Sequence, residues 1–166
     1  MIRMLTTLAR NRIGLVSVAL ALSLPVSALS TAQGAGQRKT NPEEDVPVFS
    51  EYRGVQIGMT AADVRQKLGS PKDKGDTQDY FVFAEFESVT VVYDPTQHKV
   101  VTLSIDFLSG ATGVPAPKAV VGSEIEAKAD GSFYKMVRYP KAGFWVSYYK
   151  AAGDAPLTSI TIQKID

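Results

Sequence analysis

The chain has no cysteine, a single histidine and a single tryptophan among 166 residues. Each scarcity excludes something. Without cysteine there is no disulfide framework and no lipid-modified N-terminal cysteine. A zinc site needs three or four His, Cys, Asp or Glu ligands, and one histidine with no cysteine is a poor start. A hydrolase triad needs a base near its nucleophile, and that histidine, His98, sits beside Lys99 in a turn-like stretch where surface exposure is the natural expectation. No G-x-S-x-G segment presents a serine. The sequence therefore predicts no enzyme, no cofactor and no bound metal.

A basic excess is missing too. Arg3, Arg10 and Arg12 precede the apolar run Ile13–Leu24, then Pro25 and small residues. This three-part pattern predicts a secretory signal peptide over residues 1–28, with cleavage after Ala28 or after Ala32. The run is short for a membrane span. Removal of the leader leaves 15 basic against 17 acidic residues, near −2, so no basic stripe remains to attract nucleic acid. The expectation is a periplasmic or secreted protein with no membrane anchor after cleavage. Residues 33–51, rich in Gly, Pro and mixed charge, read as a flexible linker, and Glu43-Glu44-Asp45 as a solvated acidic run.

What is present is punctuation and alternation. In "GMTAADVRQKLGSP", Thr60 is an N-cap with Asp63 three residues on, and Met59 and Val64 suit a hydrophobic staple. Ala61, Val64 and Leu68 share one helical face, Arg65 and Lys67 suit the negative end of the dipole, and Gly69 and Pro71 stop the helix. The glycines flank the helix rather than crowd its start, unlike a phosphate-binding loop. Strand-like runs follow at 80–86, 88–93 and 100–107, the last with Val101, Leu103, Ile105 and Phe107 on one face. A short helix at Pro117–Gly122 and strands at 124–129, 133–139, 144–149 and 157–162 repeat the pattern at an offset near 55 residues.

The expected fold is α+β, with helices packed on one face of an antiparallel sheet and two tandem helix–β-β-β repeats. It forms one domain, 52–166, whose similar halves span about 52–109 and 114–166.

Two carboxylate groupings draw attention. Asp73, Asp76 and Asp79 surround Gly75, with a spacing that departs from a calcium loop. Glu85 and Glu87 lie two apart on one presumed strand face, a spacing that could serve paired-carboxylate chemistry or merely face solvent. The sharper lead is aromatic. If Phe144, Val146 and Tyr148 face the core, then Trp145 and Tyr149 point to the other side of the sheet, where they form a candidate protein-binding face.

The segment "GVQIGMTAADVRQKLGSPKDKGDTQDYFVF…VVYDPTQHKVVTLSIDF", Val55–Phe107, resembles a BamE-type (SmpA/OmlA) domain and the related beta-lactamase-inhibitor-protein-like fold. The resemblance implies tandem helix–strand units with an open sheet face, and an envelope-assembly accessory or inhibitor role. The expected function is that of an exported, non-catalytic protein-binding module whose partner is another envelope or secreted protein. A periplasmic small-ligand carrier, or an enzyme with an unrecognised site, is the alternative. Partner identity and oligomeric state are not encoded in any motif.

Overall fold

A computed structural model describes residues 46–165. The leader, its cleavage sites and residues 33–45 of the linker lie outside the described residues.

The chain is mostly β. Two short strands, β1 (Glu51–Tyr52) and β2 (Val55–Gln56), pair as a small hairpin. Its turn residues Arg53 and Gly54 both have positive φ, at 50° and 77°, as a tight two-residue turn requires. Helix α1 (Ala61–Leu68) follows, then strands β3 (Asp73–Lys74), β4 (Gln78–Ala84), β5 (Glu87–Tyr93) and β6 (Val100–Phe107). A five-residue helix, α2 (Pro117–Val121), precedes β7 (Phe133–Tyr139), β8 (Phe144–Lys150) and β9 (Thr158–Lys164). Seven strands form one antiparallel sheet in the order β3-β4-β5-β6-β9-β8-β7.

The α+β expectation with helices layered on the sheet is corrected by this architecture. The two helices, of 8 and 5 residues, are too short to form a layer. The stretch 124–129, read as a strand, is irregular chain. In element order α1 with β4–β6 is followed by α2 with β7–β9, but β1, β2 and β3 stand outside that pattern and the fold is a mostly-β sheet, not a helix-covered one. The reason is physical: α2 begins with proline at its first turn and ends at Gly122, whose φ of 75° is left-handed, so its start and stop signals fall within two turns of each other.

The buried face of the sheet is built from cross-strand rows. One runs Asp79, Val91, Leu103, Ile162, Val146 and Val137; the next runs Phe81, Val89, Ile105, Ile160, Tyr148 and Lys135. Val55, Val64, Val120 and Val121 complete the core, with Phe49, Tyr52 and Leu68 packed partly against it. A register shift between Val92 and Tyr93 sets Val100 opposite Tyr93. Val100 is consequently buried and Val101 only half-buried, one residue off the alternation the sequence predicts.

The first helix matches its local signals. Thr60 Oγ1 accepts from the Asp63 N–H at 3.2 Å and lies 2.7 Å from Asp63 Oδ2. Val64 is buried, and Gly69 closes the helix with φ 85° and a bond from its N–H to the Arg65 carbonyl. The Gly58 N–H bonds to the Val100 carbonyl, and the Val100 N–H to the Met59 carbonyl, which ties the helix start to β6. Thr60→Ala is expected to cost about 1 kcal/mol, read as a shifted denaturant midpoint with an unchanged m-value.

Candidate functional site

Every second residue of the central strands faces away from the core. In register these residues form three rows across six strands. The first is Gln78, Val92, Thr102, Gln163, Trp145, Arg138. The second is Tyr80, Thr90, Ser104, Thr161, Ser147, Met136. The third is Val82, Ser88, Asp106, Ser159, Tyr149, Tyr134. The middle of the face is paved with small hydroxyl side chains, which leave it flat and polar. Its β7–β8 corner is different.

There Trp145 lies between Arg138 and Gln163, and Tyr149 between Tyr134 and Ser159. Trp145 is half-buried, while Tyr149, Tyr134 and Met136 are 38%, 45% and 41% exposed. Phe144, Val146 and Tyr148 are buried on the opposite face. The structure thus places Trp145 and Tyr149 on the side away from the core and adds Tyr134, Met136 and Arg138 beside them. Those three were missed from the sequence, although the alternation in "FYKMVRY" sets them on one face once that segment is read as a strand. Lys128 Nζ sits 4.9 Å from the centre of the Tyr134 ring, a cation–π contact that adds positive charge to the corner.

The carboxylate groupings resolve into structure. Asp79 is fully buried. Arg65 Nε donates to its Oδ2 at 2.8 Å and Nη2 to its Oδ1 at 2.9 Å, and the Tyr93 hydroxyl donates to Oδ2 at 2.8 Å. The Gly75 N–H adds a longer bond to Oδ1 at 3.3 Å. Burial alone would raise the Asp79 pKa, but the bonds from Arg65 and Tyr93 outweigh it and hold the carboxyl below its ordinary range. Burial, reinforced by the hydrogen bond to Asp79, pushes the Tyr93 hydroxyl well up. At Gly75 an added Cβ would lie 2.7 Å from the Gln78 carbonyl oxygen, so this turn accepts only glycine. Asp73 and Asp76 remain exposed. Among the described residues, no group of three His, Cys, Asp or Glu is placed to hold a metal ion.

Glu85 and Glu87 do not share a strand face. Glu85 is exposed in the turn between β4 and β5, and Glu87 is the first residue of β5. Glu87 Oε1 instead accepts from the Tyr52 hydroxyl at 2.7 Å and from Arg53 Nη2 at 2.7 Å. The Arg53 guanidinium lies 4.2 Å from the centre of the Phe83 ring. Burial and the bond to Glu87 push the Tyr52 hydroxyl up to about 12. This cluster fastens the N-terminal hairpin to the sheet. His98 is exposed in the β5–β6 turn with φ 52°.

One cleft of about 310 Å³ lies at the end of the core, lined by Phe107, Leu108, Val114, Tyr148, Lys150 and Thr158 among others. It is the place a small-ligand carrier would use, and Lys150 is the single charged group on its wall. No helix among the described residues is long and apolar enough to cross a membrane. Searches of protein-family models, curated proteins and solved structures find no match to this chain.

Proposed function

We propose that the protein is an exported, non-catalytic binding module that engages another envelope or secreted protein through the open face of its sheet, at the β7–β8 corner. The observation that carries the reading is the clustering of Trp145, Tyr149, Tyr134 and Met136 with Arg138 on one exposed face. Tyr, Trp and Arg dominate binding hot spots because they offer large, stiff contact area with a polar handle. An exposed patch of this kind rimmed by polar side chains is what interaction sites present. The seven-strand sheet behind it fixes the side chains before binding, which lowers the ordering cost. The Val55–Phe107 resemblance to BamE-type domains favours the same class of role, either envelope assembly or inhibition.

The test is capture from an envelope fraction followed by affinity measurement with the isolated partner. Trp145→Ala combined with Tyr149→Ala should weaken binding by roughly 2 kcal/mol or more, about 30-fold, with little change in melting temperature. Unchanged affinity in a fully folded double variant would remove the corner as the site. Ligand density or chemical-shift changes confined to the Tyr148–Lys150 cleft would move the reading to the carrier.

A further inference from the structure

The two edges of the sheet are finished differently. One ends in β3, only two residues long. Short edge strands blunt unwanted pairing. The other ends in β7, seven residues paired with β8 in unbroken register from Phe133 to Tyr139, with no proline and no bulge. Its far side has no strand neighbour among the described residues. The charge here is one-sided as well. The hairpin Phe133–Lys150 contains Lys135, Arg138, Lys141 and Lys150 and no acidic residue. Arg138 is exposed on the open face, and Lys135 is held beside the edge on the other face by donating to Ser123 Oγ at 2.6 Å.

We infer that β7 is a strand-addition site and that its occupant is an acidic, extended segment of the partner protein. This rests on the binding-module reading and names the partner's chemistry. Strand addition draws affinity from main-chain bonds and specificity from alternate side chains. Apolar residues of the incoming strand would lie beside Tyr134 and Met136, and carboxylates beside Lys135 or Arg138. Opposite charges across a strand pair stabilise it and like charges destabilise it. A second copy of this chain would add its own Lys135, Arg138, Lys141 and Lys150 to the same edge, so the charge pattern selects against self-pairing and for an acidic strand.

The probe is a pair of labelled heptapeptides, EEVFVEE and KKVFVKK, which carry charge on both faces of an extended strand, titrated into the purified protein at low and at moderate salt. The acidic peptide should bind at least tenfold tighter, with the gap narrowing as salt rises. Backbone amide shifts should centre on 133–139. Lys135→Glu with Arg138→Glu should reverse the preference, and Arg138→Gln, a milder change at an exposed position, should reduce it. Equal affinities, or shifts centred on β3 or the cleft, would overturn the inference. Binding that appears only after deletion of residues 33–45 would assign the edge to the chain's own acidic run instead. Concentration-dependent dimerisation that excludes the peptide would assign it to a second copy. If peptide discrimination fails while capture still depends on Trp145 and Tyr149, the edge assignment falls and the open-face reading stands.

Discussion

Leu103→Ala is expected to destabilise the protein by about 3–5 kcal/mol, a large share of the roughly 5–15 kcal/mol that holds a domain together. Leu103 is fully buried on β6, opposite Val91 on one side and Ile162 on the other. The β6–β9 pairing is where the meander β4–β6 meets the meander β7–β9, and Ile105 opposite Ile160 is buried in the next row. A cavity at Leu103 therefore opens inside the joint, where neighbours from both meanders are fixed by ladders and cannot collapse to fill it. The loss should appear as a single cooperative transition at lower denaturant with the m-value retained. Two separated transitions would show that the meanders are independent units and that the joint is not what binds them. Thr161→Ala, on β9 across the same joint but on the open face, should cost far less.

Arg65→Met is expected to cost about 3 kcal/mol. It leaves the fully buried Asp79 carboxylate with only Tyr93 and Gly75 as donors, an uncompensated charge inside the sheet. Arg65 itself is partly exposed, which tempers the effect toward the low end of buried ion pairs. The pH dependence follows from linkage. The Asp79 pKa is lowered in the folded state, so its stabilisation is fully present above the unfolded carboxylate value, about 4. It is lost as pH falls below that and through the folded value. The Tyr93 pKa is raised, so its contribution is present below about pH 10 and is lost as pH climbs through the folded value. Stability should therefore fall at both extremes. In Arg65→Met the acid-side fall should be smaller, because without its main partner the Asp79 carboxyl is held less far below its unfolded value and less stabilisation is there to lose. In Asp79→Asn the acid-side fall should flatten. Denaturant midpoints taken from pH 3 to pH 8 distinguish these outcomes. Identical profiles for wild type and Arg65→Met would show that the ion pair contributes nothing in solution.

The local parts of the fold could be read from the sequence because their causes are local. Thr60, Asp63 and Gly69 lie within one short stretch, and each supplies a cap through its own side chain or backbone. Strands β6, β7 and β8 show in the alternation of their own residues. What failed depended on partners far away in the chain. Arg65 looked like a dipole complement because Asp79, its true partner, is fourteen residues on. Asp73, Asp76 and Asp79 look alike in the sequence, but only Asp79 is buried, where the Gly75 N–H and Arg65 bond to it. Glu87 looked like a solvent-face residue, yet it anchors Tyr52 and Arg53 from another segment. The helical layer was overestimated because stop signals mark where a helix ends, not how much sheet it covers. Trp145 and Tyr149 could be assigned a face by alternation, but Tyr134, Met136 and Arg138 join them only through the β7–β8 register.

The position of β9 has a consequence for how the chain is made. Strand β9, Thr158–Lys164, the last among the described residues, lies in the interior of the sheet between β6 and β8. During synthesis from the N-terminus, β4 to β6 emerge as a meander whose β6 edge stays unpaired until some fifty residues later. For that interval Leu103 and Ile105 lack their partners Ile162 and Ile160, and an exposed apolar strand edge invites pairing with other chains. Assembly of the sheet thus waits for β9: a chain cut short before Thr158 has the β4–β6 meander and the β7–β8 hairpin and nothing to join them. Such a protein gains from anything that keeps the nascent chain extended and apart from its neighbours until β9 arrives.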